Sequence, residues 1–85
     1  MKVKKNPKCI YKKIDNIGVI LEPEHGKFIE LNSTALHIWN SLDNYSEIDD
    51  LKAELSIHYN VDKDFNSDID LFIENALNAN ILQKT

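Results

Sequence analysis

The sequence predicts an α+β fold on a winged helix-turn-helix-like plan: a three-stranded antiparallel sheet followed by three helices. Three observations carry this expectation. Residues 27–31 (KFIEL) alternate with a period of two directly after the turn-forming run Pro23-Glu24-His25-Gly26. From Ala35 onward the apolar residues switch to helical spacing. All strand-like segments precede all helix-like ones, with no repeat, low-complexity tract or linker between them, which fits segregated elements and not an alternating α/β layout.

The first strand is expected within Lys8 to Ile14, a mixed but strand-compatible stretch, and the second in the short apolar run Gly18 to Glu22. Gly26 can take the positive φ that closes a hairpin. In the third strand, Lys27 to Leu31, residues Ile29 and Leu31 fall on one face and Phe28 and Glu30 on the other.

Asn32, Ser33 and Thr34 form a helix-start cluster, because a short side-chain oxygen can accept one of the orphan N–H groups of a first turn. Ala35, Leu36, Ile38, Trp39 and Leu42 follow as the apolar stripe of a first helix. A second helix is expected from Ser46, with Asp49 three residues on in a weak capping box and Ile48, Leu51 and Leu55 along one stripe, ending near Tyr59-Asn60. The third opens at Asp62 or Asp64 and carries Phe65, Ile69, Phe72 and Ala76, broadened by Ile73 and Leu77. Asn80 suits a left-handed helix terminus, and Ile81-Leu82 can add a final strand or cover the core.

At 85 residues the chain suits one domain over 1–85 with one modest core, its basic N-terminal segment and first strand lying in 1–17. An apolar fraction of 42% with two Gly and two Pro places it among folded proteins. The single cysteine, Cys9, forms no internal disulfide and fits a reducing compartment. The basic start is followed by the charged segment CIYKKIDN, unlike a secretory signal, and no run approaches the ~18 apolar residues of a membrane span. A cytoplasmic location without membrane association is therefore expected.

The net charge of −4 is unevenly spread. Six of the ten lysines lie in the first 13 residues, whereas Asp43 to Glu74 holds ten carboxylates against Lys52 and Lys63. His25, His37 and His58 make no i, i+4 pair with another His or Cys, so a metal site would need ligands gathered from distant segments. The aspartates between 62 and 70 lack the central Gly and terminal Glu of a calcium loop and read as a solvated face. Gly18 and Gly26 cannot build a phosphate-cradling loop, and no nucleophile elbow accompanies the serines. The expectation is a non-enzyme without cofactor or metal.

A winged-helix DNA-binding regulator is the rival reading, since such a fold commonly places its last helix in the major groove. Here that helix carries Asp64, Asp68, Asp70 and Glu74, and the chain has no Arg. Four carboxylates would repel a phosphate lattice, so nucleic acid is not the expected partner.

On the third helix, Leu71 is displaced from the core direction toward a flank with Asp68, Asn75 and Ala79. It reads either as a stray exposed leucine or as the wall of a groove. Phe28 poses the same choice on the third strand, which is either an ordinary half-covered edge or an edge open to an added strand. A free edge also leaves a homodimer open.

Residues 18–82 resemble the PqqD-like proteins, also called RiPP recognition elements. The resemblance rests on Val19-Ile20-Leu21, on GKFIELNSTALHIW at Gly26 to Trp39, and on DIDLFIENALNANIL at Asp68 to Leu82. It implies non-catalytic binding of the leader segment of a ribosomally made precursor peptide. The leader would add as a strand to the third strand and be handed to a modifying enzyme, a radical-SAM enzyme or a lasso-type leader peptidase with its cyclase. Carried over by position, the groove would comprise Lys27, Phe28, Ile29, Glu30 and Leu31 on the strand, facing Asp68, Leu71, Phe72, Asn75, Ala76 and Ala79 on the helix. Two departures stand out. Asn80 replaces the usual Gly, which the tolerance of Asn for left-handed backbone accommodates, and Ala76 replaces a larger apolar residue, which implies a deeper pocket.

Overall fold

The structure is a computed structural model that describes residues 1–58 and 63–85, with the side chains of 58, 63 and 64 not included. The expected helix boundaries at Tyr59-Asn60 and at Asp62 or Asp64, and the side chain of His58, lie outside the described residues. The elements are β1 (Val3–Lys5), β2 (Ile10–Ile14), β3 (Ile17–Glu22), β4 (Lys27–Leu31), α1 (Ser33–Ser41), α2 (Ile48–His58), α3 (Lys63–Asn78) and β5 (Leu82–Lys84).

Strands β2, β3 and β4 form the expected antiparallel sheet in that order. Its register sets Ile20 opposite Ile29 and Gly18 opposite Leu31 on the face toward the helices. Ile10, Leu21 and Phe28 form a row on the other face. Gly26 has φ 64° in the β3–β4 turn, as the turn chemistry requires. At Gly18 a Cβ would stand 2.8 Å from Leu36 Cδ1, so the missing side chain is what lets α1 lie close on β3.

Helix α1 starts where the N-cap cluster places it: Asn32 is the cap, and its Oδ1 accepts the Ala35 N–H at 2.8 Å. Helix α2 begins at Ile48, two residues later than Ser46. The Ser46 carbonyl instead accepts the Val3 N–H at 2.9 Å, and the Ile48 N–H donates to the Met1 carbonyl at 3.0 Å. The Asp49 N–H is met by the carboxylate of Glu47, which also accepts from the N-terminal ammonium at 3.0 Å, so Glu47 and not Ser46 caps the helix.

The first strand of the sheet also starts later, at Ile10 and not Lys8. Asn6 is the cause. Its carbonyl accepts the Cys9 N–H and its Oδ1 accepts the Lys8 N–H, both at 3.1 Å, which holds 6–9 in a turn. Before that turn, β1 pairs with β5 in a separate two-stranded sheet, Lys5 opposite Leu82. Three-residue strands have no periodicity long enough to detect in sequence, and this pair joins the two ends of the chain.

One cluster of buried residues unites Val3, Ile20, Leu31, Trp39, Leu51, Leu55, Ile69, Ile73, Ile81 and Leu82. On α3 the deepest line is Ile69, Ile73 and Ala76, with Phe65 and Phe72 only partly covered. The expected stripe is therefore rotated toward Ile73, and Phe72 is freed to border a groove. Trp39 is capped by the Lys5 ammonium, 4.6 Å from the ring centroid, which also pairs with Asp43 at 2.7 Å. Lys52 ties α2 to α3 through Asp70, again at 2.7 Å.

Candidate functional site

The outer edge of β4 has no strand partner among the described residues, so alternate N–H and C=O groups of 27–31 point away from the sheet. Opposite this edge runs α3. Between them is a cavity of about 210 Å³ lined by Ile29, Glu30 and Leu31 of β4 and by Phe72, Asn75, Ala76 and Ala79 of α3. It continues into a second depression of about 370 Å³ bordered by Asp68, Leu71, Phe72 and Asn75. The two share a floor at Asn32 and Ala35, so they form one groove along the strand edge.

Nine of the eleven residues carried over by position line this groove. Leu71 is 56% exposed although it is a leucine in a well-formed helix, and it stands on the flank that the helical projection assigns it. Ala76 is buried at the groove bottom, where its small side chain leaves room. Lys27 and Phe28 line neither depression. Phe28 faces the opposite side of the sheet, 63% exposed, beside Leu21 and Ile10. Lys27 sits next to the hairpin turn, opposite Glu22.

Sequence reading did not include the contribution of α1. Asn32, Thr34, Ala35 and Ile38 supply the floor and one end, and Ile81 closes the other. The available signal was the short passage from strand to helix at Asn32: with no loop between them, the first turn of α1 must lie against the strand end.

The end of the groove near Ile81 is fixed by Glu22. Its side chain is fully buried, and its carboxylate accepts the Glu24 N–H at 2.8 Å, the His25 N–H at 3.0 Å, the His25 ring Nδ1–H at 3.1 Å and the Asn80 Nδ2–H at 3.3 Å. Burial pushes its acidity toward the neutral form, but the donors from His25, Asn80 and Glu24 together hold it below the usual carboxylate range. Glu22, Glu24 and His25 bring ligand-type atoms within 4.8 Å of one another. The contacts of Glu22 are those of a turn cap, with its oxygens already accepting from backbone and Asn80. The Cys9 thiol donates to the Asn80 carbonyl at 3.6 Å, and burial, aided by the charge of Glu22, raises its pKa. A protonated, hydrogen-bonded thiol is a poor nucleophile.

The groove is bordered by negative charge. Asp68, Asp70 and Glu74 are exposed on α3 and Glu30 on β4. Asp70 is paired with Lys52, whereas Asp68 and Glu30 have no ion-pair partner among the described residues. No helix among the described residues is long and apolar enough to cross a membrane.

The family described as coenzyme PQQ synthesis protein D (PqqD) matches residues 18–82 of this chain. Among curated proteins, none matches. A solved structure of TbiB1 in complex with the TbiA(beta) leader peptide is similar with a TM-score of 0.84 and 20% sequence identity, over 96% of each chain. At that identity the likeness establishes the shared fold.

Proposed function

From the premise that this chain belongs to the PqqD family, we propose that it is a non-catalytic peptide-binding protein that holds the leader of a precursor peptide for a separate modifying enzyme. The carrying observation is the groove between the unpaired edge of β4 and the flank of α3. An extended peptide added to this edge completes the backbone hydrogen bonds of β4. Its alternate side chains then enter the apolar recess at Phe72, Ala76 and Ala79. The similar TbiB1 was solved with a leader peptide, which supports the same ligand class here.

The function requires recruitment and no chemistry by this chain. Holding the leader beside an enzyme raises the local concentration of the attached core segment to about the millimolar order for a short flexible tether. A radical-SAM enzyme or a leader peptidase fits that role, acting in the cytoplasm. The exposed carboxylates on α3 disfavour the DNA-binding alternative, because the helix that would enter the major groove carries the charge of the phosphates.

The test is a titration by fluorescence anisotropy. Synthetic labelled peptides would cover the N-terminal segments of short open reading frames neighbouring the gene. One of them is expected to bind with submicromolar affinity, and Leu71→Glu to weaken it at least about tenfold while the circular dichroism spectrum is unchanged. Tight binding of duplex DNA together with no binding of any peptide overturns the proposal.

A further inference from the structure

The face of the β2–β4 sheet turned away from the helices is apolar and uncovered. Ile10 and Ile14 are 50% and 55% exposed and, with the exposed Leu21 and Phe28, border a depression of about 190 Å³; Ile17, paired with Ile14, is exposed on the same face. Solvent-facing sheet surfaces ordinarily alternate to polar residues here. The register gives this face an order. One row across it is Ile10, Leu21, Phe28 and the next is Lys12, Val19, Glu30. Lys12 and Glu30 stand on the two outer strands with β3 between them, about 9.6 Å apart at two strand spacings. Neither side chain has an ion-pair partner among the described residues.

We propose that this face docks a second copy of the chain, with a two-fold axis running along β3 in the plane between the two sheets. The rotation exchanges β2 and β4 and leaves each row in place. Lys12 of one copy then lies over Glu30 of the other, twice by symmetry, and Ile10 lies over Phe28. Leu21, which is exposed, meets its own counterpart on the axis, whereas Val19 is buried within each sheet. The surface is thus complementary to itself in both charge and apolar character, as a two-fold interface requires. Aligned packing of two sheets accommodates the arrangement, with the helices outermost.

Edge-to-edge pairing is the other way to join two copies. Through β2 it sets Lys12 and Lys13 of both strands along one seam in the central registers, and through β4 it occupies the edge proposed for the leader. The patch also sets the strength. Three strands of about six residues cover a footprint of about 300 Å² per copy, below what lasting interfaces bury, so the association is reversible and concentration-dependent.

Sedimentation equilibrium on the full chain at low salt tests this, from about 20 µM to about 2 mM, a range that brackets a weak association. The average mass is expected to rise from the 9.8 kDa of one chain toward twice that value. Lys12→Glu, which places like charges across the interface, is expected to weaken the dimer at least about tenfold, and Lys12→Glu with Glu30→Lys to restore it. Leu21→Lys, on the axis, is expected to abolish it. A wild-type protein that stays monomeric to the upper concentration overturns the proposal. So does association that persists unchanged in both Lys12→Glu and Leu21→Lys. Lys12 and Leu21 lie outside the groove, so this outcome is independent of peptide binding.

Discussion

Asn80, just beyond the end of α3, donates from its side-chain amide to the buried carboxylate of Glu22 at the end of β3, 58 residues earlier in the chain. The same amide reaches Glu24 Oε2 at 2.9 Å, and the Asn80 carbonyl accepts from the Asn6 side chain at 2.7 Å. The hairpin turn, the N-terminal segment and the helix terminus therefore meet at one residue. This junction sets the distance between β4 and the last turn of α3, and with it the width of the groove at Ile81.

Glu22 makes stability depend on acidity. Its folded pKa lies below its unfolded one, so in the window between them the unfolded chain binds more protons and stability rises with pH. The contribution is full above about pH 4.3, the ordinary carboxylate value, and is lost as the pH falls through the depressed folded value. Glu22→Gln is expected to melt several degrees lower at pH 7, the gap closing in acid. Thermal denaturation from pH 7 to pH 2.5 checks this, and equal melting temperatures of the two proteins at neutral pH would contradict it.

Asn80 has φ 64°, a left-handed backbone that Ala adopts at a cost of about 1 kcal/mol relative to Gly. Asn80→Gly relieves that strain but loses the amide donor to Glu22, whereas Asn80→Ala loses the donor and keeps the strain. The expected order of stability in urea unfolding is Asn80, then Gly, then Ala, with Ala lower than Gly by about 1 kcal/mol.

Ile69 is completely buried in the core cluster. Ile69→Ala leaves a cavity in a small core and is expected to cost about 2–5 kcal/mol, measured by the shift of the urea midpoint at unchanged slope. A cost under about 1 kcal/mol would mean that the core collapses around the site.

Ala76 leaves the groove floor open. Ala76→Leu is expected to retain the fold and to lower peptide affinity at least about tenfold, since the added methylenes occupy space meant for a ligand side chain. Melting curves and the same anisotropy titration separate this from misfolding.

Association with a basic peptide should be salt-sensitive. Glu30 and Asp68 border the groove without ion-pair partners among the described residues, so they attract cationic segments at distances that salt screens. The on-rate is expected to fall several-fold between about 0.02 M and about 0.5 M salt. A peptide on-rate that does not change over that range would remove steering from the account.

Much of the fold is legible locally. The alternation of Lys27 to Leu31, the cap at Asn32, the glycine turn at Gly26 and the left-handed position at Asn80 each follow from the preferences of a few neighbouring residues, and each is found where the sequence puts it. The displacement of Leu71 from the core stripe is legible for the same reason, because helical geometry fixes angles around an axis. Family resemblance, and not spacing, supplied the ligand class.

What only the tertiary structure decides depends on residues far apart in the chain. The pairing of β1 with β5 joins the chain ends, and the same N-terminal segment meets the start of α2, where Val3 and Met1 bond the backbone of Ser46 and Ile48 and the N-terminal ammonium pairs with Glu47. Glu22 is a charged residue at a strand end, yet it is buried, since only the folded chain brings Asn80 and the turn amides to its oxygens. Phe28 is assigned a face by periodicity, but whether that face is covered depends on where the helices pack, and they pack on the other side. Local preference sets the elements and the directions of their side chains, whereas burial and neighbours are properties of the assembled chain.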